Sequence, residues 1–149
     1  IEGGVVGAGT LLSAEDVIEA KEAGALFGVT PGTTDRLMDA ALDVELPLLP
    51  GSATASEALR LLERGYHVQK FFPAEASGGV LALKALAAPI PQVLYCPTGG
   101  VNLTSAPDYL ALTNTICVGG SWVAPKDAVE NYDWQRIEML ASEAASLGG

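Results

Sequence analysis

The chain has 149 residues, of which 49% are hydrophobic, and a formal net charge of −10 at pH 7. This length supports one domain with a substantial core, and the composition argues against disorder. The eight Lys and Arg residues form no basic run, so nucleic acid and anionic membranes are poor partner candidates. We find neither a membrane-spanning stretch nor a signal peptide, and the start at Ile1 without a methionine indicates a fragment or a processed chain.

The cysteines and the histidine narrow the possible chemistry. Cys96 and Cys117 lie in apolar, strand-like runs, and we predict that both are buried free thiols in a reducing cytoplasm. His67 is the only histidine. A zinc site built on histidines and a Ser-His triad are therefore poor candidates.

The chain repeats a strand-loop-helix pattern, in which strand-like runs recur about every 22 residues. Gly, Pro, Ser or Thr follows most of these runs, and helical segments fill the gaps between them. Ser13, with Asp16 three residues later, is a predicted helix N-cap, as are Thr34 or Thr33 and Thr54. The runs begin near Val5, Leu26, Pro47, Val68, Val93 and Thr115, and later helices are predicted over 79–86, 105–112 and 133–147.

Alternating short strands and helices predict an α/β protein with parallel strands that are covered on both faces. The short repeat favours a (β/α)8 TIM barrel over a doubly wound sheet, and Gly7-Ala8-Gly9 lacks the third glycine of a dinucleotide site. A closed barrel has eight strand-helix units, whereas we count six in the sequence. We therefore predict one domain over residues 1–149 that forms a partial barrel.

Lys70 is the most informative single residue, because it lies in a run that otherwise has the composition of a buried strand, Val68-Gln69-Lys70-Phe71-Phe72. Burying an ammonium group is costly, so a buried lysine is commonly held as the neutral amine. A neutral amine is a nucleophile for carbonyl carbon, which predicts Schiff-base chemistry. The alternative is an edge-strand lysine that faces solvent and discourages aggregation.

Other candidate residues follow the predicted strands, where a barrel collects its active-site groups at one mouth. Gly99-Gly100 and Gly119-Gly120-Ser121 are predicted to bind phosphate through backbone N–H groups, the alternative being ordinary turns. Glu75 is a candidate proton carrier or a solvated carboxylate, and Trp122 is a candidate packing residue. One of Phe71 and Phe72 is predicted to be core and the other to line the cavity. The mouth would bring together Thr10, Pro31, Ser52, Lys70, Thr98 and Ser121.

Three blocks together resemble the class I aldolases of 2-keto-3-deoxy-6-phosphogluconate (KDPG) and 4-hydroxy-2-oxoglutarate (KHG): Lys70-Phe71-Phe72-Pro73-Ala74-Glu75, Cys96-Pro97-Thr98-Gly99-Gly100 and Gly119-Gly120-Ser121-Trp122. The resemblance implies a (β/α)8 barrel, a homotrimer, and no metal or cofactor. It also implies a cytoplasmic enzyme that cleaves a small phosphorylated 2-keto acid, KDPG, to pyruvate and glyceraldehyde 3-phosphate. It assigns the Schiff base to Lys70, the pyruvate pocket to Thr10, Pro31, Phe72 and Thr98, and the phosphate site to Gly99, Gly100, Gly120 and Ser121.

The chain departs from the family pattern at its front. Members carry about two further β/α units there, which include an E-V-T-x-R-T motif whose glutamate is the general acid/base. Neither these units nor the motif is present in this sequence. We therefore expect an incomplete aldolase chain that is inefficient by itself. The alternatives are an aldolase for the galactonate epimer, a non-catalytic phosphate-binding barrel segment, and a barrel isomerase for a phosphorylated sugar.

Overall fold

Strands alternate with helices along the chain in the computed structural model, which describes residues 3–148. The strand pairs are parallel, which confirms the predicted α/β class. The chain divides into two compact units, Ile1–Phe72 and Pro73–Gly149. Ile1, at which the sequence begins, lies outside the described residues. Within the described part of the chain, no helix combines the length and the apolar character that a membrane span requires.

The first unit pairs its strands in two parallel groups. In one group Gly7 lies opposite Phe27 and Gly28 lies opposite Leu48, and in the other Gly51 lies opposite Lys70. The predicted third strand is thus divided at Pro50 between the two groups. The elements are β1 (Gly7–Gly9), α1 (Ala14–Glu22), β2 (Phe27–Val29), α2 (Asp35–Asp43), β3 (Leu48–Leu49), β4 (Gly51–Ser52), α3 (Ala55–Glu63) and β5 (Val68–Phe71).

The core of the first unit is formed by apolar side chains from α1, from α2 and from the loops next to these two helices. Their helical spacing places one apolar face of each helix toward the strands. Burial of these side chains is the main force that holds the helices in place. The buried cluster consists of Leu11, Val17, Ala20, Leu37, Ala41 and Leu46.

The second unit begins with a loop, and its elements are α4 (Gly79–Ala87), β6 (Leu94–Pro97), α5 (Ala106–Leu110), α6 (Lys126–Glu130) and α7 (Trp134–Ala145). Two 3-10 turns, Ser121–Val123 and Ser146–Gly148, complete it. The helix α6 was not predicted. Pro125 at its N-cap and five residues of mixed polarity give it little periodic signal.

The predicted sixth strand near Thr115 is not a regular strand. The segment forms two isolated parallel bridges, Tyr95 with Thr115 and Thr98 with Gly119. Between the two bridges Ile116 is 50% exposed, so this segment is not covered on both faces as predicted.

The same segment overturns one prediction about the cysteines. Cys96 is buried, as predicted, but Cys117 is exposed. Its apolar neighbours suggested a strand covered on both faces, whereas the residue is exposed in the bridged segment. Neither cysteine forms a disulfide bond among the described residues.

The predicted helix N-caps are confirmed. Ser13 and Thr54 each form a capping box, with Asp16 and Glu57 respectively as the reciprocal acidic residue. Thr34, rather than Thr33, caps α2 by accepting a hydrogen bond from the Leu37 N–H. These side chains satisfy backbone donors that a helix leaves free at its start, and a cap of this kind contributes about 1 kcal/mol.

The capping carboxylate of α3 predicts an acid-side loss of stability. Hydrogen bonds from the Ala53 backbone and the Thr54 side chain hold the pKa of Glu57 below its ordinary value of 4.5. A lowered pKa in the folded state stabilises the protein above pH 4.5, and this contribution is lost as the pH falls through the folded-state pKa. We expect Glu57→Gln to flatten the acid limb of the stability profile, which is the fall in the free energy of unfolding measured by urea denaturation from about pH 6 to about pH 3 (about 1.5 units either side of the ordinary glutamate value).

Glu63→Gln, at the last residue of the same helix, is the matched control and should keep the parental acid limb. An acid limb of the same slope in Glu57→Gln and the parent would contradict the assignment of this dependence to the capping box.

Candidate active site

Lys70 is a buried lysine on a parallel strand. It lies on β5 with 8% of its surface exposed, and its backbone N–H donates to the Pro50 carbonyl at 2.8 Å. The other three lysines of the sequence, Lys21, Lys84 and Lys126, are exposed. The interpretation of Lys70 as a solvent-facing edge lysine is therefore wrong.

An aromatic ring lies beside the Lys70 amine. The Nζ atom is 4.5 Å from the centre of the Phe72 ring, close enough for the ring face to stabilise a positive charge on nitrogen by about 0.5–2 kcal/mol. Phe71 is fully buried, whereas Phe72 is half-buried. The prediction that one of the two phenylalanines is core is confirmed.

A buried amide network positions the strand that carries Lys70. The Gln69 side chain is fully buried and donates through Nε2 to the carbonyls of Ala58 and Tyr66, both at 3.0 Å. Its Oε1 accepts from the Ser52 hydroxyl at 2.9 Å. All these buried polar groups have hydrogen-bond partners within the protein, so the network restricts β5 to one position. Ser52, expected at the mouth, instead supports the strand.

A threonine pair supports the segment that contains Pro31. The fully buried Thr30 accepts at Oγ1 from the Gly51 N–H at 3.0 Å and lies 2.8 Å from the Thr33 hydroxyl. The Thr33 hydroxyl donates to the Gly51 carbonyl at 3.2 Å. A Cβ at Gly51 would lie 2.3 Å from backbone atoms of Pro31. Pro31 is thus held in close contact with the residue that lies opposite Lys70.

Thr10 follows β1 as Pro31 follows β2. These strands are parallel neighbours, and Gly9 lies opposite Val29, so both residues lie at the same edge of one sheet. The Leu11 N–H continues this ladder by donating to the Val29 carbonyl at 3.0 Å. Thr10 is exposed and Pro31 is half-buried, which leaves both accessible to a small molecule.

The second unit brings the two predicted glycine segments together. Thr98 bridges Gly119, and the Gly119 N–H donates to the Pro97 carbonyl at 2.9 Å. Gly99 and Gly100 have φ values of 97° and 84°, a left-handed conformation that glycine adopts without strain. Consecutive N–H groups in such a segment can converge on an anion.

Beyond Gly119 the backbone packs against an aromatic ring. A Cβ at Gly120 would lie 1.7 Å from Cζ3 of Trp122, so the indole lies directly on the glycine backbone. This supports the interpretation of Trp122 as a packing residue. Ser121 begins the 3-10 turn Ser121–Val123 and is exposed, so its hydroxyl is accessible.

Glu75 has a defined partner in the second unit. Its Oε1 accepts a hydrogen bond from the Tyr109 hydroxyl at 2.6 Å. Burial, and after it the hydrogen bond and charge of Glu75, raise the pKa of Tyr109, so the phenol stays protonated and acts as the donor. Sequence reasoning considered Glu75 as a proton carrier and missed Tyr109, whose only sequence signal was its place in an amphipathic helix.

Residues 1–140 match the family described as KDPG and KHG aldolase. The chain belongs to this aldolase family. Among the described residues, no group of three or more His, Cys, Asp or Glu side chains is arranged to hold a metal ion.

Relatives and solved structures of the aldolase family agree with this assignment. The chain is 52% identical over 139 residues to 2-dehydro-3-deoxy-phosphogluconate aldolase of Pseudomonas aeruginosa, covering 93% of this chain and 63% of that protein. KDPG aldolase of Legionella pneumophila, solved with pyruvate captured as a covalent carbinolamine, superposes with a TM-score of 0.92 at 42% identity, covering 96% of this chain and 69% of that one.

A further aldolase structure carries a phosphorylated ligand. The Zymomonas mobilis ZM4 aldolase, solved with 3-phosphoglycerate, has a TM-score of 0.89 at 45% identity, covering 99% of this chain and 69% of that one. The chain thus spans about two thirds of the length of the aldolases that it matches.

Proposed function

We propose that the protein is a class I aldolase that cleaves KDPG to pyruvate and glyceraldehyde 3-phosphate through a Schiff base on Lys70. The observation that carries the proposal is the burial of Lys70, alone among the four lysines, on a parallel strand. The captured pyruvate carbinolamine in the Legionella pneumophila aldolase supports it, because a carbinolamine is the adduct of an amine and a carbonyl. KHG, which lacks a phosphate, is a second substrate.

The reaction begins at the Lys70 amine. Neutral Nζ adds to the C2 carbonyl, and a proton moves from the nitrogen to the oxygen to give the neutral carbinolamine. The hydroxyl group then takes up a second proton and leaves as water, expelled by the nitrogen lone pair, and an iminium cation remains. This cation is the species that the ring of Phe72 stabilises, because the ring centre lies 4.5 Å from Nζ.

Bond cleavage follows from the electron demand of the iminium. A general base removes the proton of the C4 hydroxyl, and that oxygen lone pair forms the new aldehyde as the C3–C4 bond breaks. The electron pair of the broken bond moves into the iminium and gives an enamine. Protonation at C3 and hydrolysis release pyruvate and regenerate the Lys70 amine.

The pyruvate end and the phosphate end of the substrate are assigned to different residues according to the groups that each end requires. Thr10, Pro31 and Thr98, each of which follows a strand, line the pyruvate pocket together with Phe72. Backbone N–H groups at the glycine segments and the Ser121 hydroxyl bind the phosphate, which needs several donors and close backbone approach. The 3-phosphoglycerate of the Zymomonas mobilis structure supports a phosphate site in the family. The proposed phosphate residues are Gly99, Gly100, Gly120 and Ser121.

The remaining proposals concern the whole protein. We propose that residues 1–149 form a single domain, six β/α units of a (β/α)8 barrel, in a cytoplasmic homotrimer. Size-exclusion chromatography with light scattering tests the oligomeric state.

Borohydride trapping tests the function directly. Reduction in the presence of pyruvate should add one reduced pyruvate to the protein, and peptide mass spectrometry should place it on Lys70. A folded protein with an unmodified Lys70 would refute the aldolase. Aldol cleavage of KDPG and of its galactonate epimer, measured by pyruvate release, distinguishes the two substrates, and phosphate binding without an adduct would indicate a non-catalytic binding segment.

A further inference from the structure

The Glu75–Tyr109 pair has contacts that the aldol reaction does not require. The carboxylate accepts from the buried phenol at 2.6 Å, a distance typical of a strong hydrogen bond to a charged oxygen. The helix α5, which carries Tyr109, begins a few residues after the Gly99-Gly100 segment. The pair therefore joins this helix to the turn that contains Glu75.

The backbone of the Glu75 turn is bonded to the glycine segment. The Ala74 N–H donates to the Thr98 carbonyl at 2.8 Å, and the Glu75 N–H donates to the Gly99 carbonyl at 3.1 Å. These two bonds align the turn with residues 98–99 in the manner of a short ladder. Any displacement of Glu75 is therefore transmitted to Gly99.

The side chain of Glu75 covers Gly100. A Cβ at Gly100 would lie 2.6 Å from Cγ and 2.8 Å from Cβ of Glu75, so the methylene groups lie against the Gly100 backbone. A Cβ at Gly79 would lie 3.3 Å from the Tyr109 hydroxyl oxygen and 3.8 Å from Oε2 of Glu75. The pair thus fills the space between two glycines with left-handed backbones.

We propose that Glu75, held by Tyr109, is the positioning residue of the Gly99-Gly100 segment, and that the pair sets the preference of the enzyme for a substrate that carries a phosphate. This inference rests on the proposed function, because it assigns the glycine segment to the phosphate. The phenol performs two tasks. It holds the methylene groups of Glu75 on Gly100, and it occupies a carboxylate that would otherwise repel the phosphate or compete with it for the glycine N–H groups.

Steady-state kinetics of pyruvate release from KDPG and from KHG test the inference. Tyr109→Phe frees the carboxylate and should raise KM for KDPG about 10-fold, since a hydrogen bond to a charged group contributes this much or more. KM for KHG and kcat for both substrates should stay within about twofold of the parent, because the loss of a hydrogen bond to a charged group would change them by more than this.

Glu75→Gln keeps the acceptor oxygen and the methylene groups but removes the charge. We expect KM for KDPG within about threefold of the parent in this variant. Adding Glu75→Gln to Tyr109→Phe should recover part of the lost affinity, because the charge is removed while the methylene groups are still not held by the phenol. Glu75→Ala removes the methylene contacts and should again raise KM for KDPG alone. Tyr132→Phe, which deletes a hydroxyl from a tyrosine that is 74% exposed, is the matched control.

Three kinetic results would overturn the inference: equal losses on both substrates, a parental KM for KDPG in Tyr109→Phe, or no recovery in the double variant. Cooperative thermal unfolding checks that each variant is folded. If Tyr109→Phe does not fold, Glu75→Gln and Glu75→Ala still decide the question, because both retain the buried phenol.

A binding measurement separates this inference from the proposed function. Titration of the nitrogen-15 labelled protein with inorganic phosphate should shift the Gly99 and Gly100 amide signals, and less so in Tyr109→Phe. If these amide signals do not shift in the parent, the inference is overturned, whether or not borohydride traps pyruvate on Lys70. If they respond but borohydride traps no pyruvate, the proposed function fails and the positioning role stands.

Discussion

Replacing Lys70 by methionine is expected to abolish pyruvate trapping and to lower aldol cleavage by about 10⁴-fold or more, because it removes the nucleophile. The fold should not suffer. Methionine has a similar length and volume, and Lys70, which is 8% exposed, loses favourable hydration of its amine in the folded state. We expect the free energy of unfolding to stay level or to rise by about 1 kcal/mol. Urea unfolding and borohydride trapping measure the two effects.

Lys84→Met is the control for this experiment. Lys84 lies on α4 and is exposed, so its replacement should change neither trapping nor cleavage. Residual cleavage in Lys70→Met at more than about one hundredth of the parental rate would show that another group carries the chemistry. A large loss of stability in the same variant would show instead that Lys70 is a structural residue.

Replacing Gly51 by alanine is expected to lower the free energy of unfolding by about 3 kcal/mol. The new Cβ would lie 2.3 Å from the carbonyl carbon and oxygen of Pro31 and 2.7 Å from the Gly32 nitrogen. These are backbone atoms, which cannot rotate away as the end of a side chain can. The strain falls on the residue opposite Lys70, so pyruvate trapping should weaken as well. Urea denaturation and trapping at limiting pyruvate check the prediction.

Gly32→Ala is the matched substitution, since both glycines follow a proline at the end of a strand-like run. A Cβ at Gly32 meets nothing within 4 Å, so stability should stay level or rise by about 0.5 kcal/mol through reduced freedom of the unfolded chain. Equal effects of the two substitutions would contradict the close packing of Gly51 on Pro31.

Features that depend on neighbours along the chain could be predicted from the sequence. The caps at Ser13 and Thr54 follow from local spacing, because a side chain and the N–H three residues later meet in any helix start. The parallel α/β class follows from the alternation of short apolar runs and amphipathic segments. Lys70 was recognisable because a lysine within an apolar strand contradicts the usual distribution of charge, and its flanking motif indicated the aldolase family.

Contacts between residues distant in sequence were decided only by the tertiary structure. Gln69 and Thr30 looked like ordinary polar residues, yet buried partners at Ser52 and Gly51 make them supports of the candidate site. The pairing of Glu75 with Tyr109, 34 positions away, has no local signal either. Cys117 was mispredicted for the same reason, because its exposure depends on which distant residues pack over its segment. Local sequence encodes the element, and packing of distant residues determines what each side chain contacts.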